Sequence, residues 1–170
     1  SRRAYLDELL AGPDRRMAAL QADLDRVLRQ RNTLLRQAGG RLTADISLTL
    51  DVWDEKFADL GERQALARAE LIGRLQPYVV DAYRDLAAVT DGNARVGLRY
   101  VADWRLDDGG KGLRDTLAAV RQQDVARGVT TVGPHRDEVE ISINGMSSRS
   151  QASQGEQRTL ALALRLAGHR

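Results

Sequence analysis

The strongest constraint on the fold is a pair of apolar stripes with heptad spacing, one on each side of a glycine turn. The first stripe contains Met17, Leu20, Leu24, Val27, Leu34 and Ala38, and the second contains Ile46, Leu50, Trp53, Phe57, Leu60, Ala67 and Leu71. Residues spaced three and four apart share one face of a helix, so each stripe predicts an amphipathic helix. The intervening "AGGR" at 38–41 favours a reversal of the chain. We therefore predict an antiparallel helical hairpin packed by coiled-coil rules.

Two polar residues, Arg31 and Gln64, occupy seam positions of these stripes. A charge in a seam costs stability, and such a residue commonly fixes the register or contacts a partner. Arg31 also belongs to a group of arginines late in the first helix, which contains Arg26, Arg29, Arg31 and Arg36. These arginines could follow a phosphate backbone, as a DNA contact would require. They could equally pair with acids on a solvated hairpin, and the sequence leaves both interpretations open.

The apolar pattern changes after the second helix. Pro77 predicts a kink or a restart of that helix, and the Asp91-Gly92 pair predicts an end near Thr90. A short β-like segment over 94–103 follows. Residues 112–128 then predict an amphipathic helix with glycine as its C-terminal stop.

A second β-like segment lies closer to the C-terminus. Val139, Ile141 and Ile143 alternate with polar residues, and Asn144-Gly145 favours a two-residue turn. We therefore predict a small hairpin over 137–151. Neighbouring strands would be needed to cover the free edges of this hairpin and of 94–103.

Composition excludes several kinds of site. The 170 residues suit one domain or one domain with an extension. There is no cysteine, which excludes disulfides and cysteine metal sites and is compatible with a cytoplasmic location. The only histidines, His135 and His169, show no ligand spacing, so no metal site is expected. The sequence shows no signal peptide and no long apolar run, so no membrane contact is expected.

The stretch "QASQGEQRTL" at 151–160 places a polar turn directly before a helical pattern. Ser153 and Glu156 have the spacing of a capping box, which explains the turn without any ligand. Gly155 and the free N–H groups at the start of a helix would alternatively suit an anion such as phosphate. The sequence alone does not choose between a capped helix and an anion site.

The stretch "TTVGPHRDE" at 130–138 offers a second polar loop. His135 and Arg136 could contact a phosphate or a partner protein, whereas Gly133-Pro134 and Asp137 are also explained by turn chemistry. The chain contains no Gly-x-x-x-x-Gly-Lys-Ser/Thr phosphate loop and no apolar strand ending in paired acids. This chain is therefore not expected to be a complete nucleotide hydrolase.

Several strings together resemble one family. They are "RRAYLDELL", "LRQRNTLL", "LDVWDEKFADLG" and "TTVGPHRDEVEISINGMSSRSQASQGEQRTLALALRLA". In this order they resemble the middle and signature-bearing portion of the RecF family of bacterial DNA replication and repair proteins, SMC-like members of the ABC-type ATPases. The resemblance implies an α+β, mostly α fold, in which a helical-hairpin arm joins a small α/β portion of an ATPase head.

The resemblance also implies a division of the chain and a set of site residues. The expected segments are a helix leading in from the head (1–12), the antiparallel helical arm (13–90), a strand-helix-hairpin portion (91–150) and the signature turn with its helix (151–170). The family's ABC signature motif would correspond to Ser153, Gln154, Gly155, Glu156 and Gln157, which would contact ATP bound by a second subunit. Glu156 departs from the glutamine found in many relatives, which leaves the local charge open.

The family's function implies the remaining expectations. A full-length protein would be a slow ATPase that uses ATP and Mg²⁺, dimerises with ATP on gapped or junction DNA, and works with RecR, RecO and RecA in DNA repair, recombination and the SOS response. This chain lacks the phosphate loop and the Mg²⁺-binding strand, so it is expected to be a fragment without tight ATP binding. Two alternatives stay open: a non-enzymatic coiled-coil interaction module, and a fragment of another SMC-like ATPase.

Overall fold

The structure, a computed structural model, describes residues 2–12, 14–87, 95–105, 109–148 and 152–168. The helices are α1 (Arg2–Ala11), α2 (Arg15–Gln37), α3 (Ala44–Ala87), α4 (Leu113–Arg127) and α5 (Gln154–Ala167), and the strands are β1 (Val96–Val101), β2 (Glu138–Ile143) and β3 (Met146–Ser147). The described part of the chain is therefore mostly helical with one small antiparallel sheet, which confirms the predicted fold class.

Helices α2 and α3 form the predicted antiparallel hairpin. Leu35 and Leu50 belong to one buried cluster, and Arg31, one turn earlier in α2, bonds to Asp54, one turn later in α3. The contact residue on α2 goes from Leu35 back to Arg31 while its partner on α3 goes from Leu50 forward to Asp54. The two helices therefore run in opposite directions. Asp14 starts α2 by accepting a hydrogen bond from the Arg16 amide at 2.8 Å.

The buried face of α2 differs in one position from the predicted stripe. Leu35 is fully buried, whereas Leu34 and Ala38 are only partly buried. Val125 of α4 packs into the same cluster as Leu35 and Leu50. On a straight helix, an apolar stripe with heptad spacing shifts gradually around the helix surface. Packing against Val125 of α4 therefore buries Leu35 instead of the adjacent Leu34.

Helix α3 continues through Pro77, so the prediction of a restart there is wrong. Proline removes one backbone hydrogen bond and crowds the preceding turn. Leu75 and Val79 are buried on either side of it, while Pro77 itself is exposed. The burial of these flanking residues offsets the local cost. The predicted helix end near Thr90 lies outside the described residues.

The chain folds into two compact units. Unit 1 contains Ser1–Leu9, Arg68–Val101 and Glu138–Arg170, and unit 2 contains Leu10–Ala67 and Ala102–Asp137. Each unit is thus assembled from segments that are distant in sequence. The division into four segments along the chain stays a prediction.

Unit 1 contains the sheet, in which β2 lies between β1 and β3. Leu98 is opposite Ile141, and Tyr100 is opposite Val139. Asn144 has φ 54° and Gly145 has φ 79°, the left-handed pair that a tight type I′ turn requires. The predicted hairpin and its turn are therefore present, with β3 ending at Ser147, and residues 149–151 of the predicted hairpin lie outside the described residues.

The outer edge of β1 is partly covered by a side chain. The Gln76 side-chain amide donates to the Val96 carbonyl at 2.8 Å and accepts from the Leu98 amide at 2.7 Å. These are the two groups that a further strand would bind. The expectation that this edge needs a neighbouring strand is therefore wrong at these two positions.

A buried ion pair stabilises unit 1 where α1 meets α3. Arg68 donates to both carboxylate oxygens of Asp7 at 2.8 Å and to the Tyr100 hydroxyl at 3.3 Å. Burial acts to lower the pKa of Arg68, but the hydrogen bonds that Arg68 donates to Asp7 and Tyr100, together with the charges of these two groups, raise that pKa overall. The guanidinium therefore keeps its charge in the interior.

Candidate functional site

The turn at residues 153–157, here called the signature turn, begins helix α5 in unit 1. Ser153 is the N-cap, and its hydroxyl accepts a hydrogen bond from the Glu156 amide at 3.3 Å. The Glu156 carboxylate accepts in return from the Ser153 amide at 2.8 Å. The predicted capping box is therefore present, and it orders the turn without any ligand.

The signature turn is open to solvent. Ser153, Gln154, Gly155 and Gln157 are exposed. The Gln154 and Gly155 amides are at helix positions that have no intrahelical acceptor. A Cβ added at Gly155 would meet only the Ser153 hydroxyl, at 3.9 Å. Nothing inside the described part of the chain therefore requires glycine at this position, which leaves the backbone accessible from outside.

The charge of Glu156 is stabilised by the turn itself. Hydrogen bonds from the backbone and the side chain of Ser153 lower the pKa of Glu156 below its ordinary value of 4.5. The carboxylate is therefore ionised at neutral pH and complements the positive end of the α5 dipole. Any anion that approaches the turn meets both the free amides and this negative charge.

The loop at residues 133–137, here called the GPHRD loop, belongs to unit 2. His135 is partly buried: its Nε2 lies 3.0 Å from the Thr130 carbonyl, and its ring packs edge-on to Phe57 at 5.9 Å. The adjacent Arg136 is exposed. The structure thus separates the two predicted contact residues, because only Arg136 is exposed to an external anion.

Two other residues of the GPHRD loop have structural roles. Gly133 has φ 122°, and a Cβ there would lie 2.7 Å from the Phe57 ring. Asp137 is buried and accepts from the Trp104 indole N–H at 2.8 Å. The glycine and the aspartate of this motif are therefore explained by the fold of unit 2.

Arg31 is fully buried, so the prediction that it contacts DNA is not supported by this structure. Its Nε donates to Asp54 at 2.7 Å, and its Nη1 donates to Asp124 at 2.7 Å and to the Thr130 hydroxyl at 2.8 Å. The seam arginine therefore finds its partners inside the chain and joins α2 to α3 and α4.

Further hydrogen bonds extend this buried network toward the GPHRD loop. Asn32 accepts from the amide and the hydroxyl of Thr130, at 2.8 and 2.7 Å. Asp124 accepts from the amide and the hydroxyl of Thr131, at 3.0 and 2.6 Å. The sequence patterns did not predict these partners. One signal was available for Asp54, because it lies four residues after Leu50 and therefore on the buried face of α3.

The other three arginines of the predicted DNA contact are exposed on α2. Arg26 lies 3.4 Å from Asp23, with 68% of its side chain accessible. Arg36 donates to the Thr33 hydroxyl at 3.1 Å. Arg26, Arg29 and Arg36 are thus free to reach an external partner, because surface interactions of this kind hold side chains only weakly.

The described residues contain no group of three or more His, Asp or Glu side chains that could hold a metal ion. None of the described helices is long and apolar enough to cross a membrane.

Comparison with curated proteins relates this geometry to one family. The DNA replication and repair protein RecF of Frankia alni is 43% identical over 185 residues, which cover 98% of this chain and 47% of that relative. RecF proteins of Renibacterium salmoninarum and Streptomyces avermitilis are 37% and 41% identical over 99% of the chain. The chain resembles a part of RecF. It spans about half the length of the RecF relatives that it matches.

Solved structures give the same result. The recombination mediator protein RecF-ATPrS in the RecFOR pathway matches 98% of this chain with a TM-score of 0.86 and 27% identity. RecF-ATP of the same pathway matches with a TM-score of 0.85. The chain covers 45% and 44% of these two RecF chains. No family model matches the sequence.

Proposed function

We propose that this chain acts as part of a longer RecF-type recombination mediator that binds ATP, and that it contributes the arm and the signature turn. The resemblance to RecF over 98% of the chain supports the family role. The observation that carries the site assignment is the exposed turn at Ser153–Gly155, where N–H groups at the start of α5 face solvent. No contact among the described residues requires a glycine at position 155.

The donors of the turn suit a phosphate held by a second subunit. The Ser153 hydroxyl accepts from the Glu156 amide, and its proton would turn from the Glu156 carboxylate to a phosphate oxygen. The Gly155 amide and the α5 dipole add a second donor and a favourable field. ATP would supply the anion, and this chain would bind and orient it without cleaving it.

Glu156 and the neighbouring glutamines would tune this contact. The ionised Glu156 opposes a second negative charge close to the turn, so binding would depend on cations from the other subunit. Gln154 and Gln157 are exposed beside the turn and would line the nucleotide interface. No residue of this chain is assigned to the Mg²⁺ that would accompany ATP.

The arm would contact DNA through α2. Arg26, Arg29 and Arg36 are exposed on one helix and would bind backbone phosphates without reading sequence. Arg136 would bind a phosphate or a partner protein. Gapped or junction DNA, RecR, RecO and RecA would be the partners of the full-length protein, in the cytoplasm.

The test measures the light-scattering mass of the full-length protein that contains this chain, with and without ATP. We expect ATP to raise the mass of the wild type by one dimerisation step and to leave the mass of Ser153→Arg unchanged, because the larger side chain would occupy the phosphate position. Ser153→Asp keeps a strong N-cap but adds a negative charge, so ATP should not raise its mass either. Ser153→Thr keeps both the cap and the hydroxyl and is the matched control.

The set of variants separates the proposal from the alternative of a coiled-coil interaction module. If all three variants dimerise like the wild type, the turn only caps a helix and the assignment fails. Circular dichroism of each variant checks that α5 is intact. Loss of dimers in Ser153→Asp with an unchanged spectrum assigns the effect to phosphate contact and not to folding.

A further inference from the structure

The exposed faces of α2 and α3 in unit 2 carry two stripes of opposite charge. The basic stripe consists of Ala19, Ala22, Arg26, Arg29, Thr33 and Arg36 on α2. The acidic stripe consists of Leu48, Val52, Glu55, Asp59, Glu62 and Leu66 on α3. All twelve residues are exposed. The two stripes therefore do not cover each other within one chain.

Each stripe has the spacing of a helix-packing face. Successive members are separated by three or four residues, which places them in one line along the helix. On the acidic stripe, Leu48 is 67% exposed, Val52 is 53% exposed and Leu66 is 54% exposed. A single exposed leucine is ordinary. An apolar pair one turn apart, followed by acids in the same line, is instead typical of a face that packs on another helix.

The two stripes match when α2 of one copy lies parallel to α3 of another. In this register Ala19 is opposite Leu48, and Ala22 is opposite Val52. The next positions place Arg26 opposite Glu55 and Arg29 opposite Asp59. Small side chains thus meet large apolar ones, and each arginine meets an acid, over four successive positions.

The opposite direction gives a poorer match. An antiparallel arrangement that keeps Arg29 opposite Glu55 places Glu62 against Ala22 and Arg36 against Leu48. Both placements desolvate a charge against an apolar side chain. Continued past Arg29, the parallel register places Thr33 opposite Glu62 and leaves only Arg36 against an apolar side chain, Leu66. The parallel register therefore leaves fewer charges against apolar side chains.

We propose that the acidic stripe of one copy docks on the basic stripe of a second copy, with the two helices parallel. Existing surface pairs do not prevent this, because Arg26–Asp23 at 3.4 Å and Arg63–Asp59 at 3.7 Å are both highly exposed and exchange readily. Each copy carries both stripes, so the contact is head-to-tail and can extend to further copies. It uses arginines that we also propose for DNA, so duplex DNA would compete with it.

Cysteine cross-linking of the 170-residue chain tests the register directly, because this chain contains no cysteine of its own. Ala22→Cys and Val52→Cys, made in separate copies of this chain and mixed with oxidised glutathione, place two thiols opposite each other. We expect this mixed disulfide to form about tenfold faster than random collision allows, since docking raises the local thiol concentration. Thr33→Cys with Val52→Cys reports the antiparallel register. Ala126→Cys with Val52→Cys is the matched control, because Ala126 is an exposed alanine of α4 outside both stripes.

Equal rates for the three pairs would show collision without docking and would overturn the proposal. Faster cross-linking of the Thr33→Cys pair would overturn the register and therefore the proposal as stated.

Charge exchange tests the same contact without cysteines. We expect the weight-average mass of the wild-type chain in light scattering to rise with concentration and to fall at high salt. Glu55→Arg with Asp59→Arg should abolish this association, and so should Arg26→Glu with Arg29→Glu. An equimolar mixture of the two double variants should recover the association, because each variant then offers the complement of the other. A wild type that stays monomeric, or a mixture without recovery, would contradict the proposal.

The two double variants separate self-association from the DNA contact. Arg26→Glu with Arg29→Glu should weaken both DNA binding and self-association, whereas Glu55→Arg with Asp59→Arg should weaken self-association alone. If only DNA binding changes in the first variant and neither variant changes the mass, the stripe proposal fails while the DNA proposal stands.

Discussion

Arg31 places a full positive charge in the interior of unit 2 and binds three acceptors there. Asp54, Asp124 and the Thr130 hydroxyl all lie within 2.8 Å of the guanidinium nitrogens. A buried ion pair gains little over an apolar replacement of the whole group, but loss of one partner leaves the other charges uncompensated. Arg31 therefore matters because it is the cation that pairs with the buried Asp124, whereas Asp54 also pairs with Arg121 at 2.7 Å.

Substitution of Arg31 tests this reasoning. Arg31→Met keeps much of the side-chain volume but removes the cation that pairs with the buried Asp124, while Asp54 keeps its bond to Arg121 at 2.7 Å. We expect the free energy of unfolding to fall by about 3–5 kcal/mol, measured by urea denaturation. Arg29→Met, on the exposed face two residues earlier, should change it by less than about 0.5 kcal/mol. Equal effects in the two variants would mean that the buried network contributes nothing specific.

Two glycines allow a comparison between structural and functional roles. In Gly133→Ala the new Cβ would contact the Phe57 ring, and alanine would have to adopt a positive φ. This substitution should therefore destabilise unit 2 by more than about 1 kcal/mol. Gly155→Ala meets nothing closer than 3.9 Å at the start of a helix, so stability should be unchanged or higher. If the signature turn binds ATP, Gly155→Ala should nevertheless weaken ATP-dependent dimerisation of the full-length protein. Thermal unfolding and light scattering, measured on both variants, distinguish the two roles.

Glu156 gives a pH dependence with a defined sign. Its pKa in the folded chain is lower than the ordinary 4.5, so its contribution to stability is present above that pH. The contribution is lost as the pH falls through the folded pKa and the carboxylate takes up a proton. We expect α5 to fray in acid below about pH 4.5, seen by amide exchange at 154–157. Glu156→Gln can keep the capping bond without a titrating group, and its fraying should not follow this pH profile.

At the scale of elements, the Gln76 side chain covers part of the free edge of β1. Gln76 reaches from α3 and satisfies one donor and one acceptor of the strand. Open strand edges pair readily with other chains, so proteins commonly block them. A helix side chain here replaces a neighbouring strand.

Removal of this side chain should expose the edge again. Gln76→Leu leaves one amide and one carbonyl without partners, at a cost of about 1–3 kcal/mol, measured by chemical denaturation. It should also increase aggregation on heating, detected by turbidity. Arg74→Leu is the control, since Arg74 is exposed on the same helix and adds similar apolar surface. More aggregation in the control than in Gln76→Leu would show that apolar surface, and not the edge, is the cause.

Sequence patterns predicted the elements better than their connections. Heptad spacing indicated the α2–α3 hairpin, and Asn144-Gly145 indicated the β turn, because both depend on residues close together in the chain. The bonds from Arg31 to Asp124 and from Gln76 to β1 join residues far apart, so no local period indicates them. Ser153 and Glu156 predicted the capping box, since both partners lie within one turn. Whether that turn also binds phosphate depends on a second subunit, which lies beyond any pattern in one chain.

At the scale of the whole molecule, the similarity to RecF covers nearly all of this chain but less than half of each RecF relative compared. The chain supplies a helical hairpin with a charged surface and an exposed helix start. We propose that each feature is complementary to something outside the chain. The proposals for ATP, DNA and a second copy therefore concern different surfaces, except that DNA and the second copy share the α2 arginines.

The interleaving of the two units fixes an order of assembly during synthesis. The chain enters unit 2 after residue 9, leaves it after residue 67, returns at residue 102 and completes it at residue 137. Unit 2 can therefore close on the ribosome while the last strands and α5 are still untranslated. Within unit 1, Asp7 of α1 can pair with Arg68 as soon as α3 is made, whereas β1 must wait for β2 at 138–143. A pause in translation after residue 137 would give unit 2 time to fold before the last segment of unit 1 is made.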